Sequence, residues 1–156
     1  MIYFCPFCWF SASYTFGHCP HCGKDLAEWE KMDYEERLTI SLGHPEAETR
    51  HRAAHILGLL KAVKAIPALI QAAQETEDLF LLREIAWALG EIKDPASLAQ
   101  LLDFLKHPSF LIRNEAVQGL GKMGGKRALE ALSMACSDPT ESVREAAGKI
   151  LKTIRI

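Results

Sequence analysis

The 156-residue chain reads as an all-α solenoid of antiparallel helix hairpins with a small cysteine-bearing β-hairpin module at its N-terminus. Three observations predict this. The segment Leu111-Ile112-Arg113-Asn114-Glu115-Ala116-Val117-Gln118-Gly119-Leu120-Gly121 recurs, blurred, at a period near 31 residues. Within each copy the apolar residues fall at helical spacing in two successive runs. Two Cys-x-x-Cys pairs are confined to residues 1–24, which share none of the repeat pattern.

Residues 1–24 contain Cys5-Pro6-Phe7-Cys8 and Cys19-Pro20-His21-Cys22-Gly23-Lys24. Two such pairs suit a tetrahedral cation, each pair curling around one side of it with metal–sulfur bonds of about 2.3 Å. In a reducing compartment the spacing reads as metal rather than disulfide. Phe10, Ala12, Tyr14 and Phe16 alternate with Ser11, Ser13 and Thr15, the pattern of a strand with one apolar face, and Ile2-Tyr3-Phe4 supplies a short partner. So small a module cannot bury enough surface to fold alone, and metal binding, on the order of 10–16 kcal/mol in zinc peptides, makes up the deficit. The module is similar to a zinc ribbon, with Cys5, Cys8, Cys19 and Cys22 as ligands of a structural Zn2+. Iron suits the same four thiolates, although rubredoxin-type pairs lie farther apart. A dithiol redox pair fits less well than one shared ion, and four thiolates leave no open position for catalysis by the metal. His18 and His21 are left out of the ligand set. Seven aromatics crowd residues 3–16, enough either to dock the module on the helices or to present a sticky patch.

Residues 25–43 read as an acidic helical linker and capping half-repeat. Asp25…Glu28 and Asp33…Glu36 have capping-box spacing. Leu38 and Leu42 align with Leu101 and Leu105, so the stretch from Asp33 to Gly43 is expected to be the second helix of an incomplete leading unit. Solenoids need a polar end.

Residues 44–156 form the array. Leu57-Gly58, Leu89-Gly90, Leu120-Gly121 and Leu151-Lys152 fall in register, at steps of 32, 31 and 31 residues. First helices are expected at 48–60, 79–91, 110–123 and 141–154, and second helices at 64–75, 95–106 and 126–137. Asp94-Pro95 and Asp138-Pro139 each place a capping side chain before a proline, and Gly124-Gly125 breaks the third hairpin. The last groove is left to Ile150, Leu151 and Ile154, packing backward. The motif of Leu-Gly-x-Ile/Met, a turn, a Leu-rich helix and then Asp/His-Pro-x-x-x-Val/Ile-Arg resembles the HEAT-like repeats of the phycobilisome lyase type. That resemblance implies the fold and, for most such proteins, an adaptor or scaffold role. The second unit departs from it, with Leu82 in place of the arginine.

Candidate chemistry is sparse. His51 and His55 have the i, i+4 spacing of a zinc helix, but Arg52 stands where a general base is needed. HEAT-repeat hydroxylases hold two irons on His-Glu pairs; the matching pairs here are His51-Arg52, Arg83-Glu84, Asn114-Glu115 and Glu145-Ala146, none of them His-Glu. Cys136 reads as a core position. Arg50, Arg113 and Arg144 read as a structural ladder, bonding loop carbonyls or acids of the Asp138 type in the neighbouring unit.

The second helices are taken to line the concave side, exposing Gln71, Gln74, Gln100, Asp103, Lys106, Glu130 and Met134 to a partner. Trp87, in a solvent register of the first-helix row, is a further anchor candidate. The expected function is thus a non-catalytic, protein-binding adaptor, with no small-molecule substrate. A nucleic-acid binder using the ribbon aromatics and the arginine row is one alternative, and a subunit of an enzyme such as a chromophore lyase another. The net charge of −2 marks no basic groove. No apolar run spans a membrane, and the N-terminus lacks a basic segment followed by a long apolar stretch, so the cytoplasm is the expected setting.

Overall fold

The computed structural model describes residues 2–154. Met1, read as part of the ribbon, and positions 155 and 156, read as part of the array, lie outside the described residues. Strands β1 (Tyr3–Phe4) and β2 (Ser11–Ala12) pair antiparallel, Tyr3 opposite Ala12. Helices α1 (Ala27–Lys31) and α2 (Tyr34–Ser41) follow, then α3 (Ala47–Leu59), α4 (Ile66–Glu75), α5 (Leu79–Ile92), α6 (Leu98–Phe104), α7 (Phe110–Met123), α8 (Lys126–Ala135) and α9 (Glu141–Ile154). The odd-numbered members from α3 onward are first helices, and α4, α6 and α8 are second helices.

Sequence and structure differ locally. The strand expected over 10–16 shrinks to Ser11–Ala12, because β1 supplies only Tyr3 and Phe4 as partners. Asp33 and Glu36 form a reciprocal capping box at α2, at 2.8 and 3.0 Å, whereas Asp25 caps alone, accepting from the Ala27 amide. The second helices α4 and α6 begin with a 3₁₀ turn, Val63–Ala65 and Pro95–Ser97, the latter capped by Asp94.

One continuous core runs through the array, built from residues such as Leu57, Leu69, Ile85, Leu101, Leu120, Leu132 and Val143, all fully buried. Leu38 of α2 and Leu42 just after it close its leading end against α3. At the trailing end Ile150 and Leu151 are half-buried and Ile154 is exposed. Leu82, where the repeat wants arginine, is buried instead.

The inter-repeat turns share one construction. His44, Thr76, His107 and Asp138 occupy the same repeat position, and each side chain accepts from the amide two residues on, at 3.0, 3.1, 3.0 and 2.8 Å. The ladder arginines then clasp the same turns. Arg50 Nη1 donates to the carbonyls of His44 and Pro45, Arg113 Nη1 to those of His107 and Pro108, and Arg144 Nη1 to those of Asp138 and Pro139. Asp138 is therefore a turn residue and arginine partner rather than a helix cap, and α9 starts only at Glu141.

The sense of the bend overturns one sequence expectation. Neighbouring first helices pack backbone against backbone, while neighbouring second helices barely touch. A Cβ on Gly58 would stand 2.8 Å from the Ala88 Cα, and one on Gly121 2.8 Å from the Ile150 side chain. The bulkier second helices leave grooves of about 500 Å³ between α2 and α4 and about 420 Å³ between α6 and α8. The row with the shorter spacing is the inside of a bend, so α3, α5, α7 and α9 line the concave face. The expectation that the second helices line it is corrected: Gln71, Gln74, Gln100, Asp103, Lys106, Glu130 and Met134 lie on the outer row. Met134 there is 78 % exposed. Cys136 is likewise not core but exposed: it is the C-cap residue of α8, as Leu105 is of α6, but among the described residues no further second helix follows to cover it.

Candidate functional site

Two constellations carry chemistry. The first is the cysteine cluster. Cys5 and Cys8 flank one tight turn, Cys19 and Cys22 another, and the two are built alike. The Trp9 amide donates to the Cys5 carbonyl at 2.9 Å and the Gly23 amide to that of Cys19 at 2.8 Å; the Cys5 and Cys19 amides donate to Phe10 and Lys24. Each turn closes on a left-handed residue, Trp9 at φ 61° and Gly23 at φ 75°. The pairing brings Cys5 Sγ to 3.8 Å from Cys22 Sγ and Cys8 Sγ to 3.6 Å from Cys19 Sγ. All four sulfurs lie within 4.8 Å of one another. Bonds of about 2.3 Å to one tetrahedral ion put sulfurs about 3.8 Å apart, so the cluster has the dimensions to hold such a cation.

Its electrostatics agree. Burial raises the Cys19 thiol, but the amides of Cys22 and His21 and the thiols of Cys5 and Cys8 outweigh it and bring it down to about 6. Burial, backed by the other three sulfurs, pushes Cys8 up to about 12. One thiolate is thus favoured at neutral pH, and further negative charge there calls for a cation.

The ribbon docks on the helices. Trp9 meets the His44 ring edge-on at 4.3 Å, and Phe7 meets Trp29 at 5.9 Å with Lys24 above it. Phe4 and Tyr14 remain 60 % and 57 % exposed.

The second constellation is the concave row. Trp87 of α5 is stacked by His55 of α3, ring centroids 4.4 Å apart and planes 11° apart, with Lys122 Nζ of α7 over the same ring at 5.9 Å. It is half-buried by its neighbours in the row. His55 Nδ1 lies 3.0 Å from Glu84, His51 Nε2 lies 2.8 Å from Asp78, and Lys122 pairs with Glu91. Both histidines are thus tied to carboxylates of the next unit. Burial raises the Glu115 carboxyl, helped by Glu84 and Glu91 and opposed by Lys122 and Arg83. Leu79, Phe80, Phe110 and Leu111 stand exposed at the starts of α5 and α7, Phe80 at 65 %. These residues were missed in the sequence because the other helix of each unit was taken as the inner one. The glycines at 58, 90, 119 and 121, all in first helices, were the available signal.

Among the described residues the four cysteines are the one group whose ligand atoms converge as a metal site would require. No described helix is long and apolar enough to cross a membrane.

A family model described as HEAT repeats matches residues 34–107 and 81–152. The chain belongs to the HEAT-repeat family. It is similar to deoxyhypusine hydroxylase-B of Oryza sativa subsp. japonica, 35% identical over 111 residues, covering 68% of this chain and 35% of that protein. It is similar to phycocyanobilin lyase subunit alpha of Synechococcus elongatus, 28% identical over 128 residues, covering 77% and 47%. Among solved structures, the complex of CpcE and CpcF of phycocyanin lyase from Nostoc sp. PCC7120 superposes with a TM-score of 0.62 at 26% identity, covering 90% of this chain and 59% of that one. This HEAT-repeat chain therefore spans about a third to a half of the curated relatives' length. Those relatives are enzymes, which overturns the expectation of a non-catalytic protein. The expectation that no small molecule is a substrate loses its support for the same reason.

Proposed function

We propose that the chain is a subunit of an enzyme of the chromophore-lyase type, working beside a second HEAT-repeat subunit. Its concave row receives a flat conjugated substrate. The observation that carries this reading is the row itself: Phe80 and Phe110 offer exposed ring surface at the starts of successive first helices, the His55-stacked Trp87 stands behind them, and Arg83, Lys122 and Glu115 belong to the same row. Flat conjugated molecules stack on such a surface, and a raised carboxyl beside them can donate a proton.

Of the two activities among the relatives, oxygen chemistry on iron has no support here. The positions of the hydroxylase-type pairs hold His51-Arg52, Arg83-Glu84, Asn114-Glu115 and Glu145-Ala146, and their ligand atoms do not converge. A lyase subunit needs no such centre. The complex of CpcE and CpcF is an assembly of two chains, and a second subunit is the natural partner for an array with an open concave side. In this reading residues 1–24 are a zinc ribbon, 25–43 a capping half-repeat and 44–156 the working array. Zn2+ on Cys5, Cys8, Cys19 and Cys22 is structural, and the setting is the cytoplasm, where those thiols stay reduced.

Visible absorption and circular dichroism test it. Phycocyanobilin mixed with the purified chain, alone and with a HEAT-repeat partner from the same host, is expected to acquire induced dichroism. Phe80→Ala and Trp87→Ala are expected to weaken it. A chromophore spectrum unmoved by the chain in both mixtures overturns the reading.

A further inference from the structure

One joint of the arginine ladder departs from the others. At Arg113 the guanidinium is fully engaged: Nη1 holds the carbonyls of its own turn, while Nε and Nη2 clasp Asp138 at 2.8 and 3.0 Å and Nη2 also meets the Thr140 hydroxyl at 2.9 Å. At Arg50, Nη1 holds its turn in the same way, but the repeat position of Asp138 is filled by Thr76. Thr76 brings no charge, and its hydroxyl accepts from the Asp78 amide. Asp78, two residues on, stands 3.8 Å from Arg50 Nη2, beyond hydrogen-bonding range. Its oxygens are otherwise committed, Oδ2 to His51 at 2.8 Å and Oδ1 to the amides of Phe80 and Leu81 at 3.0 and 3.2 Å. Among the described residues nothing accepts from Arg50 Nε or Nη2.

Arg50 lines the groove of about 500 Å³ between α2 and α4. In the matching groove between α6 and α8 the wall is formed by Asp138, with Arg113 behind it. The α2–α4 groove therefore offers, on the outer side of the array, the donor fork that Asp138 satisfies two joints later. Ala68 and Ala72, with the edges of Leu42 and Leu81, supply the smaller, apolar part of its lining, and Thr39, Gln71, Glu75 and Glu77 the larger, polar part. A planar fork of this kind takes a carboxylate in two parallel hydrogen bonds. The apolar part of the lining suits a short hydrocarbon body, and with Glu75, Glu77 and Asp78 close by, the Arg50 fork offsets at most one incoming negative charge.

We propose that the groove between α2 and α4 is a binding site for small monocarboxylates with an apolar body, received by Arg50. The site is separate from the concave row and does not rest on the lyase reading.

The test titrates 4-methylpentanoate into the full, metal-loaded chain and follows the backbone amides by NMR. The wild type is expected to show saturable shifts in α2, in residues 43–50 and in α4. Thr76→Asp supplies an internal carboxylate where Asp138 has one and keeps the turn's acceptor; it is expected to weaken binding at least about tenfold and to raise Tm without ligand. Arg50→Lys, which keeps the charge and removes the fork, is expected to weaken binding as well. Succinate, a dianion, is expected to bind more weakly than 4-methylpentanoate. Absence of saturable shifts in the wild type overturns the proposal, as does equal affinity in wild type and both variants. Succinate binding as tightly as the monocarboxylate overturns the ligand class.

Discussion

Gly90 on α5 and Gly119 on α7 touch backbone to backbone: a Cβ at Gly90 would fall 2.5 Å from the Gly119 Cα. Alanine in a helix interior normally gains about 1 kcal/mol over glycine. Here the overlap reverses the sign, since two helix backbones must separate and the core between them must reopen. Gly90→Ala is expected to lose about 1–3 kcal/mol in urea denaturation. Gly148→Ala in α9, where an added methyl meets nothing within 4 Å, is expected to be neutral or to gain up to about 1 kcal/mol. Equal responses at the two glycines would remove the close-approach account of the bend.

The Arg113–Asp138 pair carries an acid dependence. The Arg113 hydrogen bonds are the main cause that holds the Asp138 carboxyl below its usual range, against burial and with help from the Thr140 amide. A carboxyl depressed in the folded state contributes stability above its unfolded value, near about 3.9, and that contribution disappears as pH falls through the lower folded value. Asp78 acts in the same direction: burial raises it, but the hydrogen bonds from His51, Leu81 and Phe80 outweigh this. Both side chains of the Arg113–Asp138 pair are about nine-tenths buried. Asp138→Ala therefore leaves a guanidinium without its counter-charge, at a cost of about 3–5 kcal/mol at pH 7, and the acid limb of the stability profile becomes shallower. A variant with an unchanged acid limb would show that the pair does not contribute.

Metal removal should be visible in two signals that part company. Trp9 and Trp29 lie at the ribbon and its docking surface, while the helices carry the dichroism at 222 nm. In a Trp87→Phe background, a strong chelator is expected to change the tryptophan emission and to leave most of the helical signal. The released ion, measured with a colorimetric zinc dye, is expected at about one equivalent per chain, and Cys5→Ser is expected to retain less. A purified chain with all five thiols free and no bound metal contradicts the structural-zinc assignment.

Inner and outer rows make opposite predictions for partner capture. Phe80→Ala with Trp87→Ala is expected to reduce binding of the second subunit or its chromophore at least about tenfold, the scale of an aromatic anchor. Gln100→Ala, Asp103→Ala and Lys106→Ala together are expected to leave it within about twofold, as rim or bystander positions do. Surface plasmon resonance on the two variants decides between the rows, and the reverse ranking would move the working face to the second helices.

The helices were legible because their signal is repeated. Leu98, Leu101 and Leu102 repeat the register of Ile66, Leu69 and Ile70, so each unit vouches for the next, and the first helices begin and end within a residue of expectation. The arginine ladder was legible for the same reason: Arg50, Arg113 and Arg144 recur with their turns. What the sequence concealed depends on spacing between units rather than within them. Periodicity says which side of each helix is apolar but not which row runs closer, and the small Gly90–Gly119 contact that decides it carries no hydropathy signal. Cys136 matched Ala73 and Leu105 in register, yet no second helix follows α8 among the described residues, and the thiol stays exposed. The ribbon's strand was overread, because alternation over residues 10–16 identifies a face but supplies no partner beyond Tyr3–Phe4.

The shared construction of the turns bears on how such a chain changes length. Each ladder guanidinium grips the loop behind it, and Arg113 also clasps the loop ahead, so that fastening is owned half by one unit and half by the next. Adding or deleting a whole 31-residue period keeps the halves matched wherever the cut falls. A single extra residue does not, and the 32-residue step coincides with the joint whose acid has slipped from the place of Thr76 to Asp78. Whole periods are therefore the lengths such an array accommodates without breaking a clasp, and its one irregular step lies at the joint that lacks one.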